Sequence, residues 1–146
     1  MRRIALILCA FVLGGAVLLA QGPVTPSAAV TSTVYDGTTP LLPKCTLIDE
    51  AQSGHNFLVG AVTDKKVRVL SAFLTMTGTA VTVRFTSGMG SNAEPLTGQM
   101  TPSQGQTIAI PFSPIGWFET STNTLLSLQL GGAQSVDGAV CWVEVP

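Results

Sequence analysis

The segment that decides the fold is VRVLSAFLTMTGTAVTVRFTS, residues 67–87. In its second half, apolar and polar side chains alternate from Val81 to Phe85, which is the period of a half-buried β-strand. Its first half, residues 67–76, carries apolar side chains on both faces and therefore predicts a central strand covered on both sides. Thr77-Gly78-Thr79 separates the halves, so the segment predicts a β-hairpin.

The same alternation continues along the rest of the chain, with Gly, Pro, Asn and Ser between the strands. Many short strands and no long helix outside the N-terminus predict an all-β domain, a two-sheet β-sandwich of jelly-roll type. An immunoglobulin domain fits poorly, because Trp117 lies far from Cys45 and close to Cys141. We predict about eight strands, near residues 46–50, 56–62, 66–76, 79–87, 95–100, 106–112, 124–131 and 138–145.

The N-terminus has the features of an export signal. Arg2 and Arg3 precede an uncharged run from Ile4 to Ala20, which predicts a signal peptide cleaved after Ala20. The alternative is an uncleaved membrane anchor, because this hydrophobic run would form a helix of about 25 Å. The predicted organisation is a signal peptide or anchor at 1–20, a Pro/Thr/Ser-rich linker at 21–43 with one edge strand around 30–35, and the β-sandwich at 44–146.

Two cysteines remain after the leader, Cys45 and Cys141. An even number of cysteines in an exported domain predicts a disulfide, which would join the two ends of the domain. The alternative is a pair of reduced, buried thiols. Cys9 lies inside the apolar run, so it does not mark a lipoprotein.

Charge and histidine content exclude several classes of function. The formal net charge is −1, only 10% of residues are charged, and the one basic cluster is Lys65, Lys66 and Arg68, so nucleic-acid binding is not expected. His55 is the only histidine, so a two-histidine zinc site is not possible, and we predict no metal and no cofactor. A Ser-His-Asp triad would need His55 without any supporting motif; its candidate aspartates are Asp36, Asp49, Asp64 and Asp137. We therefore predict that the protein is not an enzyme.

Trp117, Phe118 and Glu119 form the one place where an acidic residue adjoins aromatic residues. Aromatic rings beside a carboxylate can hold a sugar ring, so these residues are the candidate contact for a ligand or partner. The alternative is structural: residues 111–118 are rich in proline and would form a rigid loop whose aromatic side chains cap one end of the sandwich.

Residues 64–145 resemble a family of small β-sandwich proteins encoded by tailed bacteriophages and prophages. Four segments carry the resemblance: KKVRVL (65–70), LTGQM (96–100), PFSPIGWFET (111–120) and GAVCWVEV (138–145). The resemblance implies a non-enzymatic virion part, either a capsid decoration protein or a tail or fibre subunit, which packs against copies of itself or a larger lattice. It supplies no catalytic residues.

The predicted function is therefore a structural β-sandwich on the surface of a virion, with other copies or other virion or envelope proteins as partners. Such virion proteins assemble in the cytoplasm, whereas this chain begins with an apparent leader. The alternative is an exported envelope or extracellular module for adhesion or glycan binding. The predicted location is the virion or the extracellular or periplasmic space, with membrane contact only through the N-terminal segment.

Overall fold

A computed structural model describes residues 33–146. The leader predicted at 1–20, with its hydrophobic helix, lies outside the described residues. Between Thr33 and Pro146, no helix is long and apolar enough to cross a membrane. The strands are β1 (Val34–Asp36), β2 (Thr39–Leu41), β3 (Lys44–Glu50), β4 (Gly54–Val59), β5 (Lys66–Met76), β6 (Val83–Ser87), β7 (Glu94–Pro95), β8 (Thr107–Ile110), β9 (Phe118–Glu119), β10 (Leu126–Leu130) and β11 (Val136–Val145).

Two main antiparallel sheets form a sandwich, which confirms the predicted all-β sandwich, and β1 and β2 form a separate two-stranded sheet. Sheet 1 has the order β3-β11-β5-β8, and the short β9 also pairs with β5. Sheet 2 has the order β4-β10-β6-β7. The chain crosses repeatedly from one sheet to the other, so each sheet is built from strands that are distant in sequence.

The core lies between the two sheets. Each strand contributes the apolar side chains of one face, as the period of two requires. Fully burying one such side chain contributes about 1.5–3 kcal/mol. The buried core residues are Ile48, Leu58, Val59, Val67, Val69, Ala72, Leu74, Met76, Val81, Val83, Phe85, Leu126, Leu128, Leu130, Val136, Val140 and Trp142.

The predicted hairpin over residues 67–87 is wrong. β5 pairs with β11 and β8, whereas β6 pairs with β10 and β7 in the other sheet. The turn after β5 is held by Ser135, whose carbonyl accepts hydrogen bonds from the backbone N–H groups of Thr77 and Gly78. The physical reason is that β11 offers β5 a longer partner, with ten residue pairs in register. The buried faces of β5 and β6 instead contribute to the same core.

A register shift in sheet 1 changes which side chains of β5 face the core. Ser71 pairs with Cys141 and Val69 pairs with Trp142, so Leu70 has no partner residue on β11. This β-bulge turns Leu70 outward and keeps the alternating residues on either side of it facing the core. Strict alternation predicts Phe73 on the same face as Val69. That assignment is wrong, and Phe73 faces outward.

The hairpin β1–β2 covers one end of the outer face of sheet 1, although its residues belong to the predicted linker. Val34 on β1 is fully buried against Leu70, Val143 and Val145, and Leu41 packs on the same cluster. An ion pair between Asp36 and Arg68 also joins the hairpin to β5. The hairpin leaves the other end of this face uncovered.

Candidate functional site

The uncovered end of the outer face of sheet 1 carries a row of apolar residues. Leu47, Ala139, Phe73 and Ala109 lie directly opposite one another across four strands, so their side chains share one face. Leu47 is 82% exposed and Phe73 is 50% exposed. We call these four residues the apolar stripe. The sequence signal for it is the apolar character of both faces of β5, which we interpreted as a sign of full coverage.

An acidic row lies beside the apolar stripe. Asp49 and Asp137 are directly opposite each other on β3 and β11, and each lies two residues from a member of the stripe, on the same face. Like charges opposite each other in a sheet repel. The neighbouring Glu50 has a raised pKa, first because its carboxylate is partly buried and second because of the charge of Asp49.

A disulfide borders the other side of the apolar stripe. Cys45 and Cys141 are directly opposite on β3 and β11, and a disulfide joins them, with their Cα atoms 4.0 Å apart. Each cysteine lies two residues from the stripe, on the same face. The bond ties β3, the edge strand of sheet 1, to the interior strand β11. The stripe therefore lies on a cross-linked part of the sheet.

The structure separates the three residues of the predicted ligand contact. Phe118 points inward, where its ring lies 5.2 Å from that of Phe85. Glu119 points outward and forms ion pairs with Arg68, at 2.5 Å, and with Lys66, at 3.7 Å. Trp117 is 53% exposed, and its indole Nε1–H donates a hydrogen bond to the Pro111 carbonyl at 2.7 Å. Only Trp117 presents its side chain to solvent without a charged partner.

Trp117 borders a cleft of about 350 Å³ between the β8–β9 loop and residues 96–97. The carboxylate of Glu119 does not line it, so the cleft lacks the charged acceptor expected of the predicted contact. A ring or an apolar group could stack there, with the Thr97 hydroxyl as a hydrogen-bond partner. The lining residues are Leu96, Thr97, Ala109, Ile110, Pro111, Trp117 and Phe118.

His55 contacts two buried hydroxyl groups. Its Nδ1 atom lies 3.2 Å from the Thr86 hydroxyl and 3.5 Å from the Ser127 hydroxyl. The two hydroxyls share a hydrogen bond of 2.7 Å, and the Ser127 hydroxyl donates to the Gly88 carbonyl at 2.6 Å. Both hydroxyls are therefore held in a buried hydrogen-bond network.

The aspartates considered as triad partners do not assist His55. Among residues 33–146, the side-chain hydrogen bonds of the His55 ring are to Thr86 and Ser127, and none is to an aspartate. Asp49 and Asp137 lie in sheet 1, Asp36 pairs with Arg68, and Asp64 lies in the β4–β5 connection. Within residues 33–146, no three histidine, cysteine or acidic side chains form a group that could hold a metal ion. Two surface features of the described residues remain as candidate binding sites: the apolar stripe and the Trp117 cleft.

Comparisons with known proteins give one likeness. No family model matches the chain, and no curated protein matches it. Among solved structures, the chain is similar to a protein from the structure described as "Bacillus endospore appendages form a novel family of disulfide-linked pili". The two chains are 17% identical, and the match covers 71% of this chain and 85% of the other, with a TM-score of 0.42. A likeness of this size establishes neither a family nor a function.

Proposed function

We propose that this protein is an exported, non-enzymatic structural module that assembles with copies of itself through the apolar stripe. The observation that carries the proposal is the set of four in-register apolar residues on an uncovered sheet face. Exposed Leu47 and Phe73 lose solvent contact if a partner covers the stripe, and burial of apolar surface drives association.

The disulfide supports the exported location. Disulfides persist in extracellular and periplasmic compartments and are reduced in the cytosol. The bond between Cys45 and Cys141 therefore agrees with the export signal predicted at residues 1–20. The cross-link also keeps sheet 1 intact, because β3 cannot separate from β11 while the disulfide is intact.

The sequence resemblance suggests a more specific version of this proposal, in which the protein lies on the surface of a virion. The interleaved orders β3-β11-β5-β8 and β4-β10-β6-β7 match a jelly roll, an architecture used by viral capsid proteins and lectins. An export signal at residues 1–20 would carry the chain out of the cytoplasm. It therefore favours a structure on the cell surface over a virion that assembles in the cytoplasm. A polymer on the cell surface, such as the pili that the matched structure describes, is one form that such an assembly would take.

We use the term exported chain for the protein purified in the form in which cells export it. Light scattering on the exported chain tests the proposal. We expect a mass that rises with concentration for the natural sequence and a monomer for Phe73→Lys. Thr122→Lys is the control, because Thr122 is exposed in the connection between β9 and β10, outside both sheets. Equal masses for both variants at every concentration contradict the proposal.

Glycan binding at Trp117 is a second candidate, favoured by the exposed indole beside the cleft. In this form the sugar ring stacks on Trp117, while Glu119 stays paired with Arg68 and makes no contact. A glycan array should then give binding that Trp117→Ala abolishes and Glu119→Gln leaves intact. Binding that survives Trp117→Ala removes this candidate.

A further inference from the structure

The outer face of sheet 2 also carries an uncovered aromatic residue beside polar and basic groups. Phe57 on β4 is 55% exposed and lies opposite Ser127 on β10. Two residues further along the same strands, His55 lies opposite Gln129, and Gln129 lies opposite Arg84 on β6. Ser127 and Thr86 in the row of Phe57 are buried, so Phe57 is the exposed apolar position of that row. The next row carries one formal positive charge, on Arg84, and we call it the basic row.

Arg84 is available for an ion pair with another molecule. Its guanidinium donates a hydrogen bond to the Gln129 side chain. The ion pairs among residues 33–146 join Lys44 with Glu144, Lys66 with Glu119, and Arg68 with Asp36 and Glu119. Arg84 takes part in none of them, and neither do Asp49 and Asp137 of the acidic row.

On each outer face, an apolar row lies next to a charged row. On sheet 1 the acidic row lies two residues from the apolar stripe, and on sheet 2 the basic row lies two residues from Phe57. Two residues along a strand correspond to about 7 Å in either sheet. The spacing between the apolar row and the charged row is therefore the same on both faces, whereas the signs of the charges are opposite.

Both charged rows also lie at the same end of the sandwich. Asp49 on β3 and His55 on β4 are joined through the short connection at residues 51–53. Gln129 on β10 and Asp137 on β11 are joined through residues 131–135 at that end. When two copies share one orientation, the basic row of one and the acidic row of the other therefore lie at the same end of the stack.

We propose that copies stack face to face, with the outer face of sheet 2 of one copy on the outer face of sheet 1 of the next. This inference rests on the proposed self-association and names its two surfaces. Phe57 packs against Leu47 and Phe73, and Arg84 pairs with Asp49 and Asp137. Because the two surfaces differ, every assembly retains one unused surface of each kind, one at each end, and grows as an open filament.

Charge reversal on each face tests this arrangement. Arg84→Glu and Asp137→Arg each bring like charges together in every junction, so each variant alone should need at least about tenfold more protein to assemble. In an equimolar mixture, Glu at 84 meets Arg at 137, and the other surfaces of the two variants form the natural junction. The mixture should therefore assemble at the concentration that the natural chain needs. Lys65→Glu makes the same charge change as Arg84→Glu, but outside both faces, and should have no effect.

A second pair of variants tests the direction of growth without relying on charge. Phe57→Lys blocks one surface and Phe73→Lys blocks the other, so neither variant should assemble alone. Mixed together, they retain one intact junction, and light scattering should show a dimer that does not grow further. Circular dichroism of each exported variant verifies folding before the masses are compared.

The outcomes separate this inference from the function on which it rests. If the natural chain is monomeric at every concentration, both proposals fail. If the natural chain assembles and Phe73→Lys prevents assembly, while the charge variants behave like the natural chain, self-association stands and the stacking arrangement fails. Loss of assembly in both charge variants without recovery in their mixture also overturns the stacking arrangement.

Discussion

Cys45 and Cys141 lie directly opposite each other on neighbouring strands, and the disulfide between them joins the first and last strands of the sandwich. They are 96 positions apart in the sequence, so the bond closes a large covalent loop. Such a loop restricts the unfolded chain far more than the folded one, which contributes about 5 kcal/mol in the chain-entropy model.

The variant Cys45→Ala with Cys141→Ala should therefore lose about 2–5 kcal/mol of unfolding free energy. Urea unfolding of the exported chain measures this loss. A reductant should destabilise the natural chain by a similar amount and leave the double variant unchanged. Equal stability of the natural chain and the variant would show that the bond contributes nothing.

Gly138 should not tolerate a larger side chain. It lies between Ile48 and Leu74 in sheet 1, and a β-carbon there would overlap the Phe73 carbonyl oxygen. Gly138→Ala should cost about 1–3 kcal/mol, because the strands must separate to make room. Gly98→Ala is the matched control, since nothing lies within 4 Å of its added β-carbon. Thermal unfolding that ranks the two variants equally contradicts this account of the β5–β11 contact.

Glu50→Gln should stabilise the protein at neutral pH. Burial and the charge of Asp49 raise the pKa of Glu50, so the folded state binds a proton more readily than the unfolded state. Stability contributed by this group therefore falls as the pH rises from the ordinary carboxylate pKa through the raised value.

Unfolding by urea at a series of pH values tests this sign. The gain from Glu50→Gln should be present at pH 7 and vanish in acid, where Glu50 is protonated in both states. Asp64→Asn, at an exposed position in the β4–β5 connection, serves as the control. A gain that persists unchanged in acid would show that charge is not its cause.

Adjacent aromatic residues at positions 117 and 118 should respond differently to truncation. Phe118→Ala removes a partly buried ring that packs on Phe85 and should cost about 2–3 kcal/mol, less than a fully buried phenylalanine. Trp117→Ala removes a half-exposed ring and should cost about 1 kcal/mol or less. The denaturation midpoints of the two variants measure these losses of stability. A larger loss of stability for Trp117→Ala than for Phe118→Ala would place the indole in the core.

Local sequence patterns predict the strands of this protein better than their pairing. Alternation of apolar and polar residues marks β6, β8 and β10, because each packs one face on the core. Pairing depends on contacts between distant residues, which is why the turn at residues 77–79 suggests a hairpin where the chain instead crosses to the other sheet.

Short or locally irregular elements escape the sequence patterns for physical reasons. β9 has two residues and pairs only with β5, which is too short for any period. The β-bulge at Leu70 shifts the alternation within one strand and moves Phe73 outward. The apolar stripe arises from that shift and from pairing across four strands, so it could not be derived from any single segment.

Self-association of the exported chain is the central claim, and sedimentation velocity over a hundredfold range of concentration tests it most directly. The account predicts a mass distribution that moves to larger species as concentration rises and does not stop at a dimer. A single species with the mass of one chain across the whole range would contradict the account.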